Sequence, residues 1–390
     1  MKYMMTFRRL ITPRCISLAA GVLFFSLFFL SCGGDAAKEY RAQPAAYGRP
    51  NEVTVVMDRE DWEGDLGDSL RYYFESPYLI MPQPEPVFDL RYFSPEEFSQ
   101  KRIRREARTI YLIGNLSGEE SGTARIIRED LGGEKVRRAQ EDQQYNLAVG
   151  RNKWSEGQIM LYQFGFSHDD LMAHIRNNFP AVKERINRFD LDRIRRTAFQ
   201  GGVNEKLMSQ VRTAMGVELQ IPSDYKLAKK DGGLIWLRKD TRDFTNNILL
   251  YRIAYTDSTQ LTRAGIMALR DSIGKLHIRS SEPGSYMRIN AVDLPLFIDP
   301  TLIDGRFALE AKGIWEMVND FSGGPFFTYL VYDQDRGELL FLDAFILAPG
   351  EDKRDVMQQM EQILRSARFT SGRDSQAPAT EGLSQEEGSD

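Results

Sequence analysis

Six carboxylates fall within eleven residues at Asp58, Glu60, Asp61, Glu63, Asp65 and Asp68, with Trp62 among them. Acidic side chains at this density can ligate Ca²⁺ or Mg²⁺, or divide the work of an acid and a base. Their spacing does not fit an EF-hand loop. Acids ahead of a helix are equally explained by capping and by the positive end of the helix dipole. Asp58, Asp61, Trp62, Asp65 and Asp68 are therefore candidate ligand-binding residues, and none of them is assigned a catalytic or metal-binding role. The second cluster is Phe321-Ser322-Gly323-Gly324-Pro325-Phe326, where paired glycines admit a close backbone and flanking aromatics can hold a ligand face. Ser322, Gly323, Gly324 and Phe326 join the candidates, although a tight turn between two strands would use the same residues.

Other familiar chemistries lack their residues. Ser167-His168-Asp169 holds the three types of a hydrolase triad, but adjacent residues cannot converge as base and orienting group must. His168 and His174 are six apart, off the i,i+4 spacing of two ligands on one helical face, and His277 stands alone. Neither phosphate-cradling glycine motif occurs, so dinucleotide and nucleotide binding have no support, and no cofactor is expected. Trp62, Trp154, Trp236 and Trp315 are too dispersed for a carbohydrate platform and read as packing residues.

The chain must position these groups with 390 residues of ordinary globular composition, 42% hydrophobic and 27% charged. Residues 1–31 hold Lys2, Arg8, Arg9 and Arg14, no acid, and an apolar run from Cys15 to Leu30. That run is shorter than the roughly 20 residues a membrane-spanning helix needs, and it reads as an export signal. It ends in Phe29-Leu30-Ser31-Cys32-Gly33-Gly34. This context resembles the bacterial lipoprotein box, with Phe29 where Leu is usual, and implies a covalent lipid on Cys32 as the lipid-attachment residue. Multiple acyl chains anchor stably where one does not. With Cys15 in the leader and Cys32 acylated, the folded part keeps no thiol for a disulfide, a metal or a nucleophile. Setting aside the four basic residues of the leader moves the net charge from −5 to −9. An acidic protein of this kind disfavours nucleic acid, which is held by clustered Lys and Arg.

The remaining chain divides into a lipidated, Gly/Ala/Pro-rich tether (32–51), an N-terminal α/β portion (52–165), a helical segment (166–216), a C-terminal α+β portion (217–369) and an acidic tail (370–390). Alternating strands and helices between Glu52 and Leu131 predict a layered α/β arrangement. Ser94-Pro95-Glu96-Glu97 starts a helix expected to run to Ala107. Pro180 is expected to separate helices at Asp169–Asn178 and Ala181–Ala198. From Arg176 to Arg212 there are nine basic and four acidic side chains, either a solvated helix face or a dock for lipid phosphate, glycan phosphate or an acidic partner. The C-terminal portion reads as antiparallel strands closed by a helix from Asp352 to about Ala367, with Val356, Met360, Ile363, Leu364 and Ala367 on one stripe. Strands followed by a closing helix resemble, in order alone, the photosystem-accessory and Mog1-type fold.

Arg49-Pro50-Asn51-Glu52-Val53 leading to Val56-Met57-Asp58, then Trp62-Glu63-Gly64, Gly67-Asp68 and Leu70-Arg71, resembles the opening of domain-of-unknown-function family 4837 of Gram-negative, Bacteroidota-type envelope lipoproteins. Pro84-Glu85-Pro86 with Phe88, Gly284-Ser285-Tyr286-Met287, Gly313-Ile314-Trp315 and the Phe321–Phe326 loop extend the resemblance over most of residues 49–369. It implies a cell-envelope lipoprotein and carries over no catalytic residue. The expected protein is a non-enzymatic binding or accessory lipoprotein, anchored in the outer membrane and meeting an envelope protein or glycan. The rival readings are a periplasmic hydrolase or glycan-active enzyme using the Asp58–Asp68 carboxylates, and a solute-binding module. The enzyme reading requires two of those carboxylates to share a pocket with the Gly-Gly loop.

Overall fold

The computed structural model describes residues 43–118 and 121–370. The leader, Cys32 and the acidic tail beyond residue 370 lie outside the described residues. The N-terminal portion runs β1 (Glu52–Val56), α1 (Arg59–Glu63), α2 (Asp65–Phe74), β2 (Asp89–Phe93), α3 (Pro95–Gln100), α4 (Arg102–Arg105), β3 (Thr109–Asn115), α5 (Gly122–Leu131), α6 (Gly133–Glu141), β4 (Leu147–Arg151), β5 (Ile159–Gly165) and α7 (His168–Ala198). Its five strands lie in the order β2-β1-β3-β5-β4, parallel except for β4. A parallel sheet must be covered on both faces, which is why β3 and β5 are buried almost throughout. Val53, Val55, Tyr111 and Leu161 face Leu66, Leu70 and Phe74 of α2 and Leu171, Ile175, Val182 and Ile186 of α7. Val56, Ile110, Leu112 and Met160 face Phe98 of α3, Ala124 and Ile127 of α5, and Ala139 of α6.

Two helix expectations need correction. The Ser94 capping box forms as expected, with Ser94 Oγ accepting from the Glu97 amide and Glu97 returning to the Ser94 amide. The helix then breaks at Lys101, whose backbone is extended, and restarts as α4. Pro180, conversely, divides nothing: α7 is one helix of 31 residues with the proline inside it. The missing amide costs about 3 kcal/mol. Leu171 and Ile175 before the proline, and Val182 and Ile186 after it, are all buried on one core. Each such side chain contributes about 1.5–3 kcal/mol, enough to keep the helix continuous.

The C-terminal portion continues with α8 (Glu205–Met215), β6 (Val217–Glu218), β7 (Lys226–Asp231), β8 (Leu234–Asp240), β9 (Thr245–Ala254), α9 (Arg263–His277), β10 (Tyr286–Asn290), β11 (Phe297–Ile303), β12 (Arg306–Val318), β13 (Gly323–Asp333), β14 (Glu338–Leu347), α10 (Arg354–Arg365) and β15 (Arg368–Phe369). The large sheet is antiparallel, in the order β10-β12-β13-β14-β9-β8-β7, with β11 sharing the β12 edge. Helices α8 and α10 cover one face, and α9 covers the other. The fold class expected from the sequence, a sheet-and-helix portion followed by an antiparallel sheet with a closing helix, is the one observed.

The two sheets share a polar seam. Met357, Met360, Ile363 and Leu364 of α10 bury into the large sheet, while the same helix packs against α7. The loop between α2 and β2 reaches across: Ile80 and Met81 enter the core of the large sheet, and Tyr78 packs against it. Glu85 of that loop accepts from the Lys353 and Arg354 amides at 2.8 and 2.7 Å, capping α10 with a carboxylate from the other sheet. Arg354 pairs with Asp89 at 2.8 Å. Asn51, at φ +64, donates its amide to Asp190 at 2.9 Å and its side chain to Asp355 and Gln358 at 3.0 and 2.8 Å. Asparagine tolerates the left-handed backbone that this double reach demands. Buried Asp190 also takes Arg108 Nε at 3.0 Å. Burial pushes the Asp190 carboxyl up, and the Asn51 amide and Arg108 oppose that shift.

Candidate functional site

Two members of the acidic cluster, Asp58 and Asp65, reach other elements. Asp58 accepts the hydroxyl of Ser121 and, at 3.2 Å, the amide of Thr123, so it holds the start of α5 and leaves α1 without a side-chain cap. Asp65 meets His168 Nε2 at 3.1 Å, and Asp68 meets Arg71 at 2.7 Å. Trp62 stacks flat on Tyr92, centroids 4.5 Å apart, with the Arg71 guanidinium 4.6 Å from the indole centroid. Burial pushes the Tyr92 phenol up to about 12. Asp61 is the member whose carboxyl is raised, chiefly by burial and then by Asp58. Gly67 lets α2 approach α1, because a Cβ there would lie 1.9 Å from the Trp62 carbonyl oxygen. Asp58, Asp61, Trp62, Asp65 and Asp68 thus stand together without lining the concavity at the Gly-Gly loop.

That concavity, of about 530 Å³, is formed by the turn joining β12 to β13 and by residues from three other places: Pro82 and Gln83, Asn290 and Asp293, and Leu347 to Lys353. The Met317 amide donates to the Ser322 carbonyl at 2.8 Å, and Asn319 takes φ +59, closing the hairpin. Ser322, Gly323 and Gly324 line the hollow. Phe326 does not: it is buried under Arg270, whose guanidinium carbon is 3.5 Å from the ring centroid and which pairs with buried Asp343 at 3.0 Å. Contrary to the sequence expectation, Phe326 offers no ligand contact in this hollow, since strand alternation turns it inward between α9 and the sheet.

Three residues at the hollow are not among the candidates named from the sequence. Phe321 projects fully into solvent at the rim. Trp315 is buried against Phe345, ring centroids 5.5 Å apart, yet its Nε1 has no hydrogen-bond partner among the described residues, an uncommon condition for a buried indole. Lys353 reaches the hollow from the residue preceding α10. Phe321 and Trp315 had signals, an aromatic beside paired glycines and a tryptophan in a strand, but nothing local marks Lys353 or Pro82. The hollow combines an aromatic knob, the largely buried Trp315 indole in its wall and an acidic rim of Asp293, Glu316 and Asp320, with Glu316 already engaged by Arg288 at 2.6 Å. Among the described residues no three His, Cys, Asp or Glu side chains are placed to hold a metal ion, and no helix is long and apolar enough to cross a membrane.

The two sheets define a two-part α/β and α+β chain, and each part is similar to a family without an assigned activity. The sequence profile of domain of unknown function DUF4837 matches residues 204–366. Residues 46–199 match a different one, domain of unknown function DUF8532. The likeness to DUF4837 therefore covers the large sheet and its helices, and the motifs between Arg49 and Phe88 lie in the stretch matching DUF8532. No curated protein matches the chain. A mutant of protein Mog1 is similar over 41% of this chain and 94% of its own, at 9% identity and TM-score 0.30. The Saccharomyces cerevisiae Ran-binding protein Mog1p is similar over 40% and 92%, at 8% identity and TM-score 0.29. Likeness at that level carries no inference for this chain.

Gly324 is the position on which the hollow depends. Its φ is ordinary, but a Cβ would lie 2.2 Å from the Ile346 carbonyl oxygen of the neighbouring strand. Gly324→Ala should lower stability by about 1–3 kcal/mol, read as a fall in the urea midpoint. An unchanged midpoint would show that β13 and β14 do not approach as described.

Proposed function

We propose that the chain is a lipid-anchored binding protein of the cell envelope that presents the hollow between Trp315 and Phe321 to another envelope component, a protein or a glycan. The observation that carries the reading is the pairing of a fully exposed Phe321 with an unpartnered, buried Trp315 donor at one concavity. Exposed aromatics beside a desolvated donor are characteristic of recognition surfaces, where they supply contact area at low entropic cost. The binding reading is favoured over hydrolysis because the carboxylates Asp58, Asp65 and Asp68 are engaged by Ser121, His168 and Arg71, away from the hollow. Support for the anchor comes from the sequence: the basic, acid-free leader, its short apolar run and Ser31-Cys32-Gly33. Outer-membrane residence belongs to the same proposal.

Two measurements check it. Radiolabelled palmitate should enter the wild type and not Cys32→Ala; equal labelling of both would defeat the anchor. A photocrosslinking amino acid placed at Phe321 should capture one discrete envelope component, whereas the same group at exposed Tyr72 on α2 should not. Equal adducts at the two positions, or none at Phe321, would contradict a binding role for the hollow.

A further inference from the structure

A second concavity, of about 490 Å³, lies between the edge strand β4 and the outer face of α7. It is lined by Arg108, Arg151, Arg185, Arg188 and Arg196, around Phe189. On α7, positions 185, 188, 189, 192 and 196 recur at helical spacing and share one face. Arg151 comes from the end of β4, and Arg108 precedes β3. Three elements thus converge five guanidiniums on one hollow in a protein whose net charge is −5.

The charges there are only partly matched. Arg108 is paired with Asp190, and Arg188 with Glu184. Arg151, Arg185 and Arg196 make no ion pair among the described residues, and Asp192 is the carboxylate lining the same hollow. Three cations facing one anion leave two positive charges uncompensated. Arg108 adds a built element: it is 7% exposed, held by Asp190, by the Phe189 carbonyl at 2.9 Å and by the Phe189 ring at 4.1 Å. Among the described residues its Nη1 makes only a long 3.5 Å contact to the Gly157 carbonyl. A fixed guanidinium with donor capacity to spare, surrounded by exposed ones, suits a tetrahedral oxyanion, which accepts forked N–H pairs from several sides.

We propose that this hollow binds a phosphomonoester dianion, a site distinct from the hollow at Trp315 and independent of the reading given for it. The charge of such a group equals the uncompensated charge, and the cavity exceeds a bare phosphate, so an organic group is accommodated against exposed Val149 and the Phe189 ring. The phosphate comes either from a soluble sugar phosphate or from a lipid headgroup; both present the same oxygens.

The test uses the purified full chain in neutral detergent at low ionic strength, where surface electrostatics are least screened. Titration calorimetry with glucose 1-phosphate reads the soluble source, and detergent micelles doped with phosphatidic acid read the lipid-borne one. Arg185→Gln/Arg196→Gln should weaken saturable binding by about tenfold or more, the loss of two charge-assisted contacts. Lys226→Gln/Lys230→Gln, on the exposed β7 edge, removes the same formal charge elsewhere and should leave affinity within about twofold. Arg185 and Arg196 are exposed and unpaired, so the thermal midpoint should stay at the wild-type value and exclude misfolding as the cause. The probe that binds the wild type more tightly identifies the source. Absence of saturable binding by either probe, or equal weakening in the two double variants, would overturn the proposal.

Discussion

Helix α10 has two partners that a single stripe of apolar residues could not satisfy. Its Met357, Met360, Ile363 and Leu364 belong to the core of the large sheet, and its opposite side meets α7 of the smaller one. Its first turn is satisfied by Glu85, a carboxylate delivered by a loop more than 260 residues earlier. Ionised acceptors at a helix start gain from both the free amides and the dipole, so this cap is among the stronger single contacts between the two sheets. Asn51, Asp190 and Arg354 extend the seam, and Ile80 and Met81 give it an apolar plug. A buried polar network of this kind holds only when its members are all satisfied, which makes it an all-or-none connection.

The seam also positions both hollows. Lys353, whose amide Glu85 fixes, lines the hollow at Trp315, and Pro82 and Gln83 reach the same hollow from the plug loop. On the other side, Asp190 holds Arg108 in place beneath the arginine-lined hollow while accepting from Asn51. One carboxylate therefore ties the joint between sheets to an arginine that lines the second hollow. Removing Arg108 would leave that carboxylate buried without its counter-ion, a costly state by several kcal/mol.

What local sequence carries, it carried well. Ser94 and Glu97 wrote a capping box, and the stripe through Met360, Ile363 and Leu364 marked α10 before any tertiary information. The alternation of strands and helices between Glu52 and Leu131 was readable too, and the strand expected at Thr109–Gly114 is β3. Failures came where tertiary contact overrode a local rule. Pro180 remains inside α7 because the core on either side of it outweighs one lost hydrogen bond. Strand β11 hid behind Pro300, acceptable only because that strand pairs on one side, and β7 hid behind an exposed, lysine-rich sequence without alternation. The hollow at Trp315 was half legible: Gly323-Gly324 signalled close approach, but the far wall is built by residues whose proximity no spacing encodes. The acidic run at Asp58–Asp68 was conspicuous for chemistry, yet its contacts are local ones: Asp58 reaches the start of α5, Asp65 meets His168 of α7, and Asp68 pairs with Arg71 one turn along the same helix.

If the seam joins the sheets as described, they must unfold together. Differential scanning calorimetry of the full chain is the direct measurement. A single transition whose calorimetric and van't Hoff enthalpies agree is the predicted result, with the transition dividing in two when Glu85→Ala and Asn51→Ala are combined. Two resolved transitions in the wild type, one per sheet, would show that the interface contributes little and would contradict the central role given to the Glu85 cap.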